Sequence, residues 1–297
     1  METEAIRVAV RRGGVVEAVH RVHAVAVRDG QIVAAAGNPQ LRCFMRSSSK
    51  PIQALPLARA RDDLEDRDLA IASASHAADP AQIAAVRRLL AKAPADEDEL
   101  ECGLQEGRRQ ERIYHNCSGK HAGMLALCRA RGWRSEGYRL PGHRVQREML
   151  AEHVAAAELD EDAIPTATDG CGVVTFGFTL ERMAHAFSRL SGLDGGSRVT
   201  AAMRAEPELI GGSGRPDTEL MRQTDGWVAK GGAEGLLCAA GPDGVGVAVK
   251  VEDGNYRAVE PAITAFFRPL GVELRGFETV PVRNSRGEEV GAIALLH

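Results

Sequence analysis

Strand-forming sequence sits at both ends of this chain and helix-forming sequence fills its middle, so the sheet must be assembled from residues far apart in sequence. Val15 to Val27 is rich in valine with partial alternation, and Asp29-Gly30 gives a tight-turn signal before Ile32-Val33-Ala34. From Pro51 to about Leu90 the character is helical, and Gln82 to Leu90 carries an amphipathic 3.6-residue pattern. Helices are predicted again over Gly119 to Arg131, Gln146 to Ala157 and Leu180 to Leu190. Glycine clusters at Gly211-Gly212-Ser213-Gly214 and Gly231-Gly232 mark tight backbone passages. The β signal then returns as a hairpin, Leu236 to Ala240 and Val245 to Val251 about Pro242-Asp243-Gly244. A helix from about Tyr256 to Phe267 follows, and then a last strand pair, Val280 to Arg283 and Val290 to Leu296. The expectation is one α/β (α+β) unit over residues 1–297, with an antiparallel sheet from both termini and a central helical lobe. The sheet lobe spans about 1–45 and about 230–297, and the helix-rich lobe about 46–229.

Composition removes several classes of function. A net charge of -4 gives no reason to expect nucleic acid or an anionic membrane as partner. No run approaches the roughly 18 uncharged apolar residues of a membrane span. The N-terminus shows acidic residues and no apolar signal region, and the six cysteines are irregularly spaced, so we expect a cytoplasmic protein with reduced thiols. Oligomeric state is not readable, although a homodimer would be ordinary for an enzyme of this size.

The cations are unevenly chosen: Lys and Arg total 37, of which only Lys50, Lys92, Lys120, Lys230 and Lys250 are lysine. Where arginine serves almost everywhere, a retained lysine points to an amine that can lose its proton. Lys92 and Lys250 read as ordinary surface charges; the other three lie in motif-like clusters. Ser47 and Lys50 are three apart, and on a helix they share a face, as a nucleophile and base would in penicillin-binding proteins and class A β-lactamases. A serine-rich helix start before Pro51 accounts for the same residues. Lys230-Gly231-Gly232 precedes the C-terminal hairpin, where such enzymes place a Lys-Thr/Ser-Gly strand, but glycine stands at the hydroxyl position. Cys117, Lys120 and Cys171 lie in polar, glycine-flanked segments and form a candidate metal-ligating set, although spacing alone favours two small buried thiols. His115 and His121 are further candidates beside that set, as ligands or hydrogen-bond partners. Ser73-Ala74-Ser75-His76 offers a second hydroxyl, or an ordinary capped helix end.

Taken in order, Arg-Ser-Ser-x-Lys-Pro, Ala-Ser-His, His-Asn-Cys-Ser-Gly-Lys-His, Asp-Gly-Cys-Gly and Lys-x-Gly-Ala-Glu-Gly resemble the rhizobial-type L-asparaginase family over about residues 40–240. These are asparaginase II-like amidohydrolases. The resemblance implies a serine β-lactamase/penicillin-binding-protein-like fold and hydrolysis of L-asparagine to L-aspartate and ammonia. It also implies Ser47 with Lys50 as one serine–lysine pair and Lys230 as the lysine of a second, with Ser75 as its serine. Some relatives carry a hydroxyl just after the histidine, where this chain has Ala77. By the same resemblance Cys117, Lys120 and Cys171 match a zinc-binding trio, and Arg46, Asp169 and His121 fall among substrate-binding groups.

The implied mechanism has Ser47, deprotonated by neutral Lys50, attack the side-chain amide to give a β-aspartyl ester that water hydrolyses. Activity should then favour mildly alkaline pH. Zinc, with two thiolates neutralising its charge, would orient substrate or hold structure more than generate the nucleophile. Two rivals stand beside this reading. A glutaminase or other amidohydrolase, including a β-lactam or D-peptide hydrolase, would use the same scaffold. A non-catalytic zinc- or amino-acid-binding domain would retain the motifs without the chemistry.

Overall fold

The computed structural model describes residues 3–296. Strands β1 (Ile6–Arg12), β2 (Val15–Arg28), β3 (Gln31–Ala36) and β4 (Arg42–Phe44) come first. Helices α1 (Lys50–Gln53), α2 (Leu55–Ala60), α3 (Asp66–Ala72), α4 (Pro80–Lys92), α5 (Ser118–Ala130) and α6 (Arg144–Ala157) follow. Strands β5 (Thr166–Thr168) and β6 (Val174–Thr179) precede α7 (Leu180–Arg189), α8 (Gly196–Ala205), α9 (Pro207–Ile210) and α10 (Pro216–Gln223). The chain closes with β7 (Val228–Gly232), β8 (Leu236–Ala240), β9 (Val245–Val251), α11 (Val259–Phe267), β10 (Thr279–Arg283) and β11 (Glu289–Leu295).

The termini do build one antiparallel sheet, in the order β10-β11-β1-β2-β9-β8-β7 with β3 added beside β2. The long strand β2 makes this possible. Its first half pairs with β1, and its second half lies between β3 and β9, with Val22 facing Val251 and Val25 facing Ala248. Helix α7 covers one side of β9 and β2, presenting Leu180, Met183, Ala184 and Phe187 at the spacing of one helical face. Helix α11 packs across β1, β9, β10 and β11.

In the helical region α5 is buried on every side from Ser118 to Cys128, as expected only of a helix at the centre of a lobe. Helices α2, α3, α4 and α6 surround it. Such an antiparallel sheet from both termini beside a helical lobe is the α+β arrangement expected. Two details differ from the sequence expectation. A small sheet, β4-β6-β5, takes two of its strands, β5 and β6, from the region read as helical, and α8 to α10 were not foreseen. All six cysteines are unpaired. Among the described residues, no helix is long and apolar enough to cross a membrane.

Candidate active site

The chain leaves the small sheet through Met45, whose N–H bonds Phe176 O at 2.8 Å, and turns sharply at Arg46 (φ +49°). A left-handed arginine costs about 1–2 kcal/mol, so surrounding contacts must hold it. They do: Arg46 N–H donates to Thr175 Oγ1 at 3.2 Å and its Nε to Asp169 Oδ1 at 2.5 Å. The turn then feeds a short helical run into α1, where Pro51 fits the first helical turn because its missing N–H is not needed there. Two of the three serines in this run are committed to the fold. Ser48 Oγ donates to Lys230 O at 2.9 Å, and Ser49 Oγ to Arg46 O at 2.8 Å. Ser47 is half-buried, and among the described residues its hydroxyl has no hydrogen-bond partner. It is the serine left free to react.

Lys50 is fully buried. Its amine donates to Ala74 O at 2.6 Å and to Ser75 Oγ at 2.8 Å. Burial pushes its pKa below the ordinary lysine value, against the pull of the Cys117 and Cys171 sulfurs. The contact Lys50 makes is therefore with Ser75, the serine the resemblance assigns to Lys230. Ser75 is held at the end of α3 by its N–H to Ile210 O at 2.8 Å. The adjoining His76 is structural. Its Nδ1 accepts from Ala78 N, leaving Nε2 to donate to Ser118 Oγ at 2.7 Å, and burial first, then Lys50, lowers its pKa to about 3.

Lys230 enters from the edge strand β7, across from the serine run. Its amine lies 3.3 Å from Asp217 Oδ2 and donates to Gly231 O at 2.8 Å. Both side chains of this pair are almost wholly buried, and Asp217 also accepts Gly231 N–H at 2.9 Å. Burial, then Lys50 and Arg215, outweigh Asp217 and lower the Lys230 pKa to about 8. Both glycines after Lys230 are required. A Cβ on Gly232 would lie 2.8 Å from Ser48 Oγ and 2.9 Å from Met45 O. One on Gly231 would lie 2.5 Å from Tyr256 Oη, so the missing hydroxyl residue has its reason in the tyrosine filling that space.

The cysteine set also comes together. Lys120 Nζ lies 3.0 Å from Cys171 Sγ, and the Cys171 thiol hydrogen-bonds the Cys117 sulfur. That bond, with the Lys50 and Lys120 charges, pulls the Cys117 thiol well below its usual range despite burial. Among the described residues, no cluster of three histidine, cysteine, aspartate or glutamate side chains could hold a metal ion. A zinc ion here would need the Lys120 amine beside the two sulfurs and would have to displace its proton, because against burial the Cys171 and Cys117 sulfurs and Asp169 hold the Lys120 pKa above the ordinary lysine value. Buried His121 accepts from the Tyr138 hydroxyl at Nδ1 (2.7 Å), because that hydroxyl already accepts Glu101 N–H. Its Nε2–H is buried without a partner.

The candidate residues interlock: Arg46 binds Asp169, Lys120 binds Cys171, Lys50 bonds Ser75 and feels Cys117, Lys120 and Cys171, and Lys230 feels Lys50. Sequence reasoning missed Asp217, Tyr256 and Glu234, the last 3.8 Å from Arg46. It also misplaced Lys250, which is buried rather than a surface charge. Lys92 reaches buried Asp68 at 2.7 Å.

The model of the L-asparaginase II family matches residues 8–295 of the chain. No curated protein matches it. Among solved structures, Mglu in its native form is similar at 15% identity and TM-score 0.47, over 86% of this chain and 65% of that one. A second Mglu structure, solved in 4.3 M NaCl, gives 16%, 0.46, 86% and 61%. The chain therefore spans less than two thirds of Mglu. A probable glutaminase from Bacillus subtilis complexed with 6-diazo-5-oxo-L-norleucine gives 14% identity, TM-score 0.38 and 85% of each chain. A β-lactamase from Mycobacterium bovis gives 14%, 0.34, 83% and 94%.

Proposed function

Because the chain belongs to the L-asparaginase II family, we propose that it is an amidohydrolase converting L-asparagine to L-aspartate and ammonia. The observation that carries this reading is the buried Lys50 amine, 2.8 Å from Ser75 Oγ and one helical turn after the uncommitted Ser47 hydroxyl. A nucleophile needs a base within reach that is neutral at the working pH, and burial favours the neutral amine.

Ser47 Oγ attacks the side-chain amide carbon, and its proton passes to neutral Lys50, with the Ser75 hydroxyl as relay. The C–N bond breaks as the leaving nitrogen takes that proton, which releases ammonia and leaves a β-aspartyl ester on Ser47. Water attacks the ester carbon, its proton returns through the same network, and L-aspartate leaves. Arg46 meets the substrate α-carboxylate and Asp169 the α-amine; their mutual ion pair holds both in place before substrate arrives. Gly231 N–H is committed to Asp217, so oxyanion donors must come from elsewhere. Cys117, Cys171 and a deprotonated Lys120 would hold a zinc ion, whose charge would help orient the amide. The partnerless Nε2–H of His121 is a donor available beside that set.

A second reading has one observation in its favour: Ser75, not Ser47, holds the hydrogen bond to Lys50. Ammonia release from L-asparagine and from L-glutamine, by the wild type, Ser47→Ala and Ser75→Ala, separates the two. Intact mass after incubation with an electrophilic asparagine analogue locates the adduct. We expect turnover of asparagine, an adduct on Ser47 and no adduct in Ser47→Ala. An adduct surviving in Ser47→Ala and lost in Ser75→Ala moves the nucleophile to Ser75. No ammonia from either amide sinks the amidohydrolase reading. Preference for asparagine rests on one methylene, worth about 1–3 kcal/mol, so glutamine is the control that decides substrate class.

A further inference from the structure

Beyond Arg46, away from Ser47, lies a cavity of about 350 Å³ between the small sheet and the edge of β9. Arg42, Cys43 and Phe44 of β4, Pro165 and Lys250 of β9 line it, with Glu234 beside Arg46. Phe44 is 37% exposed, so an apolar face looks into this space. The volume suits a ligand of amino-acid to dipeptide size.

Lys250 is what makes the cavity informative. It is only 7% exposed, yet its amine bonds nothing in the protein but its neighbour's carbonyl, Val251 O, among the described residues. Neither Lys250 nor Arg42 has a carboxylate within ion-pair distance among the described residues. Burying a cation without an anion costs several kcal/mol, and a packed apolar residue would avoid that cost. Burial lowers the Lys250 pKa more than Cys43, Glu234, Asp253 and Glu252 raise it, and Glu234, 67% exposed, makes its ion pair with Arg46 at 3.8 Å instead. Arg42 and Lys250 thus contribute cations to the lining, Phe44 and Pro165 contribute apolar surface, and Arg46 joins the cavity to the catalytic centre.

We propose that this cavity binds a carboxylate carried on a short apolar body, with the carboxylate on Lys250 and Arg42 and the apolar part against Phe44 and Pro165. Two sources share that chemistry: the C-terminal residue of an asparaginyl dipeptide whose asparagine occupies the catalytic site, and a free apolar carboxylic acid. The dipeptide source rests on the amidohydrolase reading; the free acid does not. For the dipeptide the reaction is side-chain hydrolysis, L-Asn-L-Leu and water giving L-Asp-L-Leu and ammonia.

The test compares the full chain with Lys250→Met and Arg42→Ala, neither in the catalytic machinery. kcat/KM is measured on L-asparagine and on L-Asn-L-Leu, and binding of N-acetyl-L-leucine by calorimetry. Lys250→Met fills the same space without charge, and exposed Arg42 can be removed without touching the core. We expect each variant to lose roughly tenfold or more on the dipeptide, the scale of one charged hydrogen bond, and to keep asparagine turnover within about twofold. If the dipeptide is not hydrolysed but N-acetyl-L-leucine binds the wild type and at least tenfold more weakly to the variants, the occupant is a free carboxylic acid. Dipeptide turnover equal in all three proteins overturns the subsite while the amidohydrolase reading stands. If no amide is hydrolysed, the titration still decides: N-acetyl-L-leucine binding unaffected by either variant, or absent, overturns it.

Discussion

Asp217→Asn tests the electrostatic account of the second lysine. The substitution keeps the side chain's shape and removes the charge facing Lys230 at 3.3 Å inside a site about 1–2% exposed. Breaking a buried ion pair ordinarily costs about 3–5 kcal/mol, because one charge is left stranded. Here the stranded charge has an escape. Lys230 already has its pKa at about 8, against 10.5 for an ordinary lysine. At pH 7 it can shed its proton for one unit's worth of free energy, about 1.4 kcal/mol. The charge-dependent destabilisation is therefore capped at about 1.4 kcal/mol at pH 7 rather than at the full stranded-charge cost. Its pH dependence has a definite sign. The folded pKa lies below the unfolded one, so between about pH 8 and 10.5 the unfolded chain binds more protons at Lys230, and wild-type stability rises with pH. Removing Asp217 lowers the folded pKa further, so the variant's rise begins at lower pH and the gap closes above about pH 8. Urea unfolding of both proteins at pH 6, 7, 8 and 9 measures this. A gap that is constant with pH, or that widens toward pH 9, refutes the reasoning.

Three further outcomes follow from the same geometry. Cys171→Ser should lose zinc in a chromophoric-chelator competition while Ser47→Ala keeps it; equal retention by both removes Cys171 from the ligand set. Arg46→Lys should raise KM for asparagine roughly tenfold or more with kcat little changed, since an ammonium cannot replace the planar fork facing two carboxylates; an equal fall in kcat alone would refute a substrate-binding role. Lys92→Arg should leave unfolding within about 0.5 kcal/mol of wild type, because Lys92 is partly exposed and Arg88 also pairs with Asp68; a loss of several kcal/mol would mean the amine is specifically required there.

Long elements with a clear period were legible, and short ones or those beside a glycine cluster were not. Helices α6 and α7 and the β8–β9 hairpin begin and end within a few residues of the spans their apolar patterns imply. The three-residue strands β4 and β5 are too short to show alternation, and their existence depends on pairing with β6. Helices α9 and α10 flank the Gly211–Gly214 cluster, which read from sequence as a tight backbone passage. In the site, Ser47, Lys50 and Lys230 were visible because rare residue types fell into patterned company. Asp217 was not. An acidic residue in a helix's first turn is what any exposed helix start carries, and only the packing of α10 on β7 makes this one a buried partner.

Lysine scarcity itself carries a physical signal different from the catalytic one first read into it. Lys50, Lys120, Lys230 and Lys250 are all buried, and among the described residues no arginine is. A guanidinium holds its proton under any condition the fold survives, whereas an amine can give it up or tolerate a depressed pKa, so only the amine can be taken far from water at bearable cost. In a chain that otherwise chooses arginine, lysine therefore marks where a cation must be desolvated. Its neighbours then decide what the desolvated amine does. Lys50 lies beside the Ser75 hydroxyl, Lys120 beside the Cys171 sulfur, which raises its pKa against burial, and Lys230 beside the Asp217 carboxylate. Lys250 has only a carbonyl in bonding contact and an open cavity beside it, the space the proposed carboxylate would occupy.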